Sequence, residues 1–337
     1  MMSEGDPSPR IGRRRVLQIM AAAGVAGGLY GLGLMRGGGQ IHTVREGRVL
    51  MGTQINLILH GPDADRCRQA VQDAFARMAS LSGILSRHDQ SSELAQLNRD
   101  GQLATTSPAL RTVLDLAENI SRSTDGAFDV TVLPLLALYG RDRLPERQQL
   151  EAALALVDYR RIERQGTGLV LTRPGMGITL DGIAKGYIVD EAVATLRAAG
   201  FANVYVEAGG DLMVTGAKPA HEPWRIGIRQ PRETSGPMTV LSSAAALAVA
   251  TSGDYLQAFT MDLRHHHILD PRTGMSPPEL ASATVTAPTV ALADGLATAA
   301  MVLGPERAIT ALTRFPGCAG LFVGKDLRQY KTSGFAA

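Results

Sequence analysis

The sequence predicts an α+β fold, with a mixed sheet or sheets flanked by helices, and two observations predict it. Short apolar segments of period two are interspersed with amphipathic helical segments, and their order lacks the strand–helix–strand repeat of a doubly wound sheet. The composition, 45% hydrophobic and 20% charged, supplies enough apolar residues for one large core or two small ones. Residues 41–337 contain no low-complexity linker and no fixed-period repeat, so they read as one domain.

The elements follow in order. In "QINLILH", Ile55, Leu57 and Leu59 recur at period two, which makes Gln54–His60 a strand. Asp65 to Leu85 carries Ala70, Val71, Ala74, Phe75, Met78 and Leu81 on one helical stripe. "SPALRTVLDLAENIS" opens with Ser107 as N-cap and Pro108 at the first helical position. A further helix is expected over Glu146–Val157, then short strands at "GLVLT" and "GITL". "GIAKGYIVDEAVATLRAAG" is a helix closed by Gly200, and "NVYVEAGGDLMVTG" is two strands meeting at a glycine turn. "WRIGIR" reads as a strand, and "AVATSGD", "HHHILD" and "SATVTA" precede an Ala-rich helix within Thr289–Gly304. A last helix and the strand "AGLFVG" close the chain.

The first 40 residues stand apart. "RRRVLQ" at Arg13–Gln18 precedes the Gly/Ala-rich apolar stretch "IMAAAGVAGGLYGLGLM", and Gly37–Gly39 lead into the domain. A basic segment followed by an apolar one resembles a twin-arginine export signal. The alternative is a membrane anchor, since Val16–Met35 is long enough for a hydrocarbon core of roughly 30 Å. Cleavage stays open, because no small-x-small site follows. The net charge of +2 comes with no basic face interleaved with aromatics, which argues against nucleic acid. The two cysteines, Cys67 and Cys318, exclude a thiolate zinc site and leave either two buried thiols or one disulfide.

The chemistry is concentrated in short glycine-flanked polar signatures. Asp294 and Thr298 lie four residues apart, hence on one face of the Ala-rich helix. Each has a plain explanation, a helix cap for the acid and a bond to its own backbone for the hydroxyl. Together with the carbonyl of Ala297, they could hold Mg²⁺, which prefers hard oxygen ligands. "LDGIAKGY" offers backbone amides at a helix start, suited to a phosphate, and Lys185 adds a positive charge one turn in. "AGGD" lets Gly209, Gly210 and Asp211 bring backbone close to a ligand. His267, beside the Asp270–Pro271 turn, is the candidate general base. With His265 and His266 it could instead form a soft-metal tract.

In this order, "MGT", "SRHDQSSELAQLN", "TDGAFDVTVLPLLALYG", "LDGIAKGY", "EAGGDL", "ATSGDY", "HHHILDPRTG" and "ADGLAT" resemble the ApbE family of flavin transferases from about Ile41 onward. The resemblance implies an ApbE-like fold that binds FAD as substrate and transfers FMN, with Mg²⁺, to a threonine of an acceptor protein, releasing AMP. It also implies an acceptor with an FMN-binding domain, a subunit of a membrane electron-transfer complex outside the cytoplasm, which agrees with the export signal. Carried over by position, it makes Asp294 and Thr298 metal ligands, completed by backbone oxygens at Ala297 and near Gly182. Met51, the Ala127–Phe128–Asp129 stretch and Lys185 match FAD-contacting positions, and His267 lies near the reacting phosphate.

Two positions depart from the pattern. His88 stands where an aromatic residue is usual and can still stack on an isoalloxazine ring. "TLDGIAKG" puts Thr179 where Asp is usual and Asp181 where Gly is usual, two residues along and so on the same side of an extended segment. Two other readings use the same residues: an FAD pyrophosphatase, in which water replaces threonine, and an exported FAD-binding protein without activity.

Overall fold

The computed structural model describes residues 41–335 except 141–142 and 233–235. The leader expected over residues 1–40 lies outside the described residues. Among the described residues, no helix is long and apolar enough to cross a membrane.

The main sheet has eight strands: β1 (His42–Leu50), β2 (Thr53–Gly61), β6 (Val204–Ala208), β7 (Asp211–Thr215), β10 (Leu247–Gly253), β11 (Leu280–Ala287), β12 (Ala319–Gly324) and β13 (Gln329–Lys331). They lie side by side in that order, and every neighbouring pair is antiparallel. A small sheet joins β3 (Gln102–Leu103), β5 (Gly168–Leu171) and β4 (Ile162–Gln165), and β8 (Trp224–Arg229) pairs with β9 (Pro237–Ser243) as a hairpin. The helices are α1 (Ala64–Leu85), α2 (Glu93–Asp100), α3 (Pro108–Ser123), α4 (Leu133–Leu136), α5 (Arg147–Leu154), α6 (Ala184–Ala198), α7 (Val290–Leu303) and α8 (Pro305–Leu312). The α+β class is as expected; among the described residues the strands, expected to form a mixed sheet or sheets, pair antiparallel throughout.

Period two explains the layering. Ile55, Leu57 and Leu59 on β2 and Val204 and Val206 on β6 face the helices and pack with Phe75, Met78 and Leu196. On the opposite face, Leu212, Val214 and Val249 pack against Trp224, Ile226 and Ile228 of the β8–β9 hairpin. Strands covered on both faces, such as β7 and β12, are accordingly buried throughout.

One expected strand is not a strand. "GITL", residues 177–180, is buried but irregular. The Ile178 amide donates to Asn98 Oδ1 at 2.6 Å, and Asn98 Nδ2 donates to the Ile178 carbonyl at 2.8 Å. Thr179 N–H donates to the Val130 carbonyl at 2.8 Å. A side chain and a turn, not a neighbouring strand, satisfy this backbone.

Helix α7 lies beneath the sheet against β10 and β11 and crosses α6. Its small residues permit that approach: a Cβ on Gly186 would sit 2.5 Å from the Val290 carbonyl oxygen, and one on Gly295 would sit 2.4 Å from Ile120. Asp190 of α6 fixes the register, accepting the Val290 and Ala291 amides at 2.8 and 2.9 Å, while Thr289 accepts that of Leu292. Gly186→Ala is therefore expected to cost about 1–3 kcal/mol through overpacking of backbone on backbone, read as a lower urea midpoint at unchanged m-value.

Candidate active site

The β1–β2 turn, the β6–β7 turn and the start of α6 come together at one end of the main sheet. The two-residue β1–β2 turn places Met51 and Gly52 at φ 54° and 71°, a hairpin geometry that favours Asn-Gly over a methionine. Beside it, Gly209 and Gly210 are exposed with φ 62° and 105°, and a Cβ on Gly209 would meet Thr53 Oγ1 at 2.6 Å. Only glycine fits the 209 position.

At the floor lies a buried charge cluster. Lys185, in the first turn of α6, pairs with Asp211 at the start of β7, and its Nζ stands 3.6 Å from Asp294 Oδ2 on α7. Asp211 also accepts the Thr251 amide at 3.3 Å, and Asp294 Oδ2 accepts that of Gly186 at 3.2 Å. Among the described residues, no donor reaches Asp294 Oδ1. Burial pushes the Asp294 carboxyl up to about 7, with the Asp211 charge adding to it and Lys185 opposing. Burial alone would lower Lys185, but the Asp211 and Asp294 carboxylates outweigh it and hold the ammonium charged.

Thr298 lies one turn along α7 from Asp294. Its Oγ1 is 3.2 Å from Ser252 Oγ, and a Cβ on Gly182 would come within 2.9 Å of that same oxygen. Phe128 closes the space, 3.4 Å from the same Cβ position. Thr298 thus packs directly on the Gly182 turn, where a side chain would collide with its hydroxyl, and Asp294 stands one turn away on the same helix beside Lys185. A carboxylate, a hydroxyl and backbone carbonyls are the donor set of a hard divalent cation, so the residues fit Mg²⁺.

His267 lies in the loop before the Asp270–Pro271 turn, near enough to Asp181 and Lys185 for both charges to act on it. Its Nδ1 is 3.2 Å from the Gln257 carbonyl, which can only accept, so Nδ1 carries the proton and Nε2 is the basic nitrogen. Burial lowers its pKa; the Gln257 bond and the Asp181 charge oppose this, and the Lys185 charge adds to it. The neighbouring imidazoles do not join it: His266 is fully buried with neither ring nitrogen bonded, and burial lowers it to about 3. Among the described residues, no three His, Cys, Asp or Glu converge on a metal position, which removes the soft-metal tract.

Several expected residues serve the frame. Both Asp129 carboxylate oxygens are occupied, by the Thr131 amide and hydroxyl (2.8 and 2.6 Å) and the Tyr159 amide (3.0 Å). Ala127 and Phe128 are buried behind the Gly182 turn. The Gly210 amide donates to Glu207 Oε1 at 2.7 Å, so it is not free for a phosphate. Buried Thr179 braces the turn, its Oγ1 accepting the Asp181 amide at 3.2 Å. Asp181 is exposed and pairs with Arg87, next to exposed His88. Ser252, Asn98 and Arg87, which the motifs contain, and Asp190, just beyond "LDGIAKGY", are site-building residues that periodicity does not single out. Their partners lie 46 to 101 residues away, and only Ser252, just before "GD" at a strand end, carried a local signal.

The fold, with a Lys–Asp cluster buried at one end of its main sheet, is that of a transferase. The ApbE family profile matches residues 51–322, and the chain belongs to that family. The FAD:protein FMN transferases of Vibrio cholerae and Salmonella typhimurium are each 32% identical to it, over 85% of this chain and 89% of the first relative, and over 86% of both chains for the second. Crystal structures of the ApbE protein of Thermotoga maritima (TM-score 0.78, 29% identity, covering 87% of this chain and 97% of that one) share the fold. So does the flavin transferase ApbE of Vibrio cholerae (TM-score 0.75, 28% identity, 88% and 99%).

Lys185→Met leaves two adjacent buried carboxylates without a counter-charge. Expected is a loss of roughly 3 kcal/mol near neutral pH. Folded carboxyl groups raised above their unfolded values stabilise fully below about pH 4 and lose that contribution as pH rises through the folded value. The deficit should therefore shrink in acid, as denaturant titrations near pH 5 and pH 8 would show.

Proposed function

We propose that this protein transfers FMN from FAD to a threonine of an exported acceptor protein, with Mg²⁺ at the Asp294–Thr298 site and release of AMP. The observation that carries this reading is the clustering of Asp294 against Lys185, with Thr298 one turn along the same helix and packed against the Gly182 turn, and with His267 close enough for the Asp181 and Lys185 charges to act on it. The names of its relatives support the reaction class. The twin-arginine-like leader supports an acceptor outside the cytoplasm, with membrane association if the leader is retained. The acceptor proposed is an FMN-binding domain of an electron-transfer complex.

Asp294, Thr298 and the carbonyls of Ala297 and the Gly182 turn would hold the cation. A bound Mg²⁺ supplies positive charge against a pyrophosphate that repels an incoming oxygen. Lys185 adds fixed positive charge from below, and the β1–β2 and β6–β7 turns bring backbone against the substrate. The threonine oxygen bonds to the FMN phosphorus as the bond to the bridging oxygen breaks; that oxygen and its electron pair leave with AMP. His267 Nε2 takes the threonine proton. Because burial keeps this imidazole neutral near pH 7, it is in the form that accepts a proton.

The deciding experiment mixes the protein, FAD, Mg²⁺ and a candidate acceptor domain. Flavin covalently bound to an acceptor threonine, found by mass spectrometry, supports transfer; free FMN alone identifies a pyrophosphatase, and intact FAD a carrier. His267→Gln is expected to retain FAD and lose about 10²–10⁴-fold in transfer rate, and a wild-type rate removes it as the base. Since Asp294 titrates at about 7, a metal ion must displace its proton below that pH. Mg²⁺ affinity by calorimetry should fall between about pH 8 and pH 6, and this pH dependence should vanish with the binding itself in Asp294→Asn.

A further inference from the structure

The loop carrying His88 and the turn carrying Asp181 meet in space. Arg87, the neighbour of His88, donates from Nε to Asp181 Oδ2 at 2.9 Å across 94 residues of sequence. The loop carrying Arg87 and His88 is wired internally. Asp89 Oδ1 accepts the Ser91 amide and hydroxyl at 2.9 and 2.7 Å, the Ser92 amide bonds to the Asp89 carbonyl at 3.0 Å, and the Ser92 hydroxyl bonds to Ser86. Such a loop moves as one piece. Downstream, Asn98 clamps α2 to Ile178 through two bonds, so the segment is attached to the 178–181 stretch at both of its ends.

The partner side is equally fixed. Asp181 has its amide held by Thr179, and Thr179 is bonded in turn to Val130. The next residue is Gly182, which packs against Thr298. The ion pair therefore spans from the His88 loop to the turn that borders the candidate metal site. Its side chains are 28% and 50% exposed, which places it at the rim of the cleft and not in the floor.

We propose that Arg87 and Asp181 form a latch over the cleft and act as positioning residues that set the partition of the FMN phosphoryl group between threonine and water. The proposal rests on the transfer reading above. In both outcomes the FMN–phosphorus bond to the bridging oxygen breaks and AMP leaves with that oxygen and its electron pair. The new bond is from threonine oxygen in one case and from water oxygen in the other, and the nucleophile's proton goes to His267. Only water access separates them. With the pair intact the α1–α2 loop is tied to the Asp181–Gly182 turn as well as to its two flanking helices, which keeps water out; without it only the helices and Asn98 hold the loop.

The test uses the full chain with FAD, Mg²⁺ and an FMN-binding domain as acceptor, and measures free FMN against acceptor-bound flavin. Arg87→Ala and Asp181→Asn should each raise that ratio about two- to fivefold, the range of a partly exposed ion pair. The double variant should do no more than the larger single one, and the exchange Arg87→Asp with Asp181→Arg should bring the ratio back toward wild type. Arg87→Lys, which keeps the charge, should lie between. Wild-type ratios in both single variants, or additive effects in the double, overturn the latch. If the wild-type chain labels no acceptor, the transfer reading fails separately. The latch is then judged by FMN release from FAD alone: the same non-additive rise supports it and an unaltered rate overturns it.

Discussion

The pairing of Lys185 with Asp211 and Asp294 is the constraint on which the rest of the site depends. Two carboxylates and an ammonium are taken largely out of water, and such groups are tolerated only when each finds its partner. They come from three elements, so α6, α7 and β7 must keep their mutual register for the one ammonium to reach both carboxyl groups. Gly186 permits the helices to touch, and Asp190 caps α7 from α6. The packing of the core and the electrostatics of the cleft are the same problem solved at one crossing.

Around that crossing the chemistry is divided between floor and rim. The floor is built on regular elements and is rigid by burial: Asp294 and Thr298 on α7, Lys185 on α6, Asp211 on β7. The rim consists of turns and loops: Met51–Gly52, Gly209–Gly210, the His88 segment and the loop carrying His267. A substrate with a charged middle and two large ends suits this division. The phosphates need fixed charges, whereas the ends need surfaces that admit and enclose them. His267 belongs to the rim, yet its ring is oriented by a backbone carbonyl, which is how a loop residue acquires a defined tautomer.

Much of this was legible before any coordinates. Strand β2 and helices α1 and α3 announce themselves by periodicity and caps, with Ser107 capping as its position suggests, and α7 by its Ala-rich run, whose cap Thr289 the structure supplies. Strand β1 escaped that reading because its half-buried face carries Glu46 and Arg48, and Arg48 spreads its guanidinium over the Phe75 ring at 4.2 Å. Residues 177–180 misled in the opposite sense, since their apolar side chains are buried while their backbone bonds to Asn98 and Val130. Asp129 looked like a ligand contact because it sits inside a family motif; its carboxylate is spent on Thr131 and Tyr159.

By itself the sequence determined the α+β class, the family and the identity of the polar residues available for chemistry. Those follow from local pattern and from residue types, which do not depend on where the chain goes next. Only the tertiary structure decided which of those polar groups face the cleft and which are consumed by the frame. It separated Asp294, which among the described residues has one carboxylate oxygen without a donor, from Asp129 and Asp211, whose oxygens are taken by internal donors. The physical reason is that a buried polar atom is assigned by its partner, and these partners come from helices, turns and strands brought together by packing.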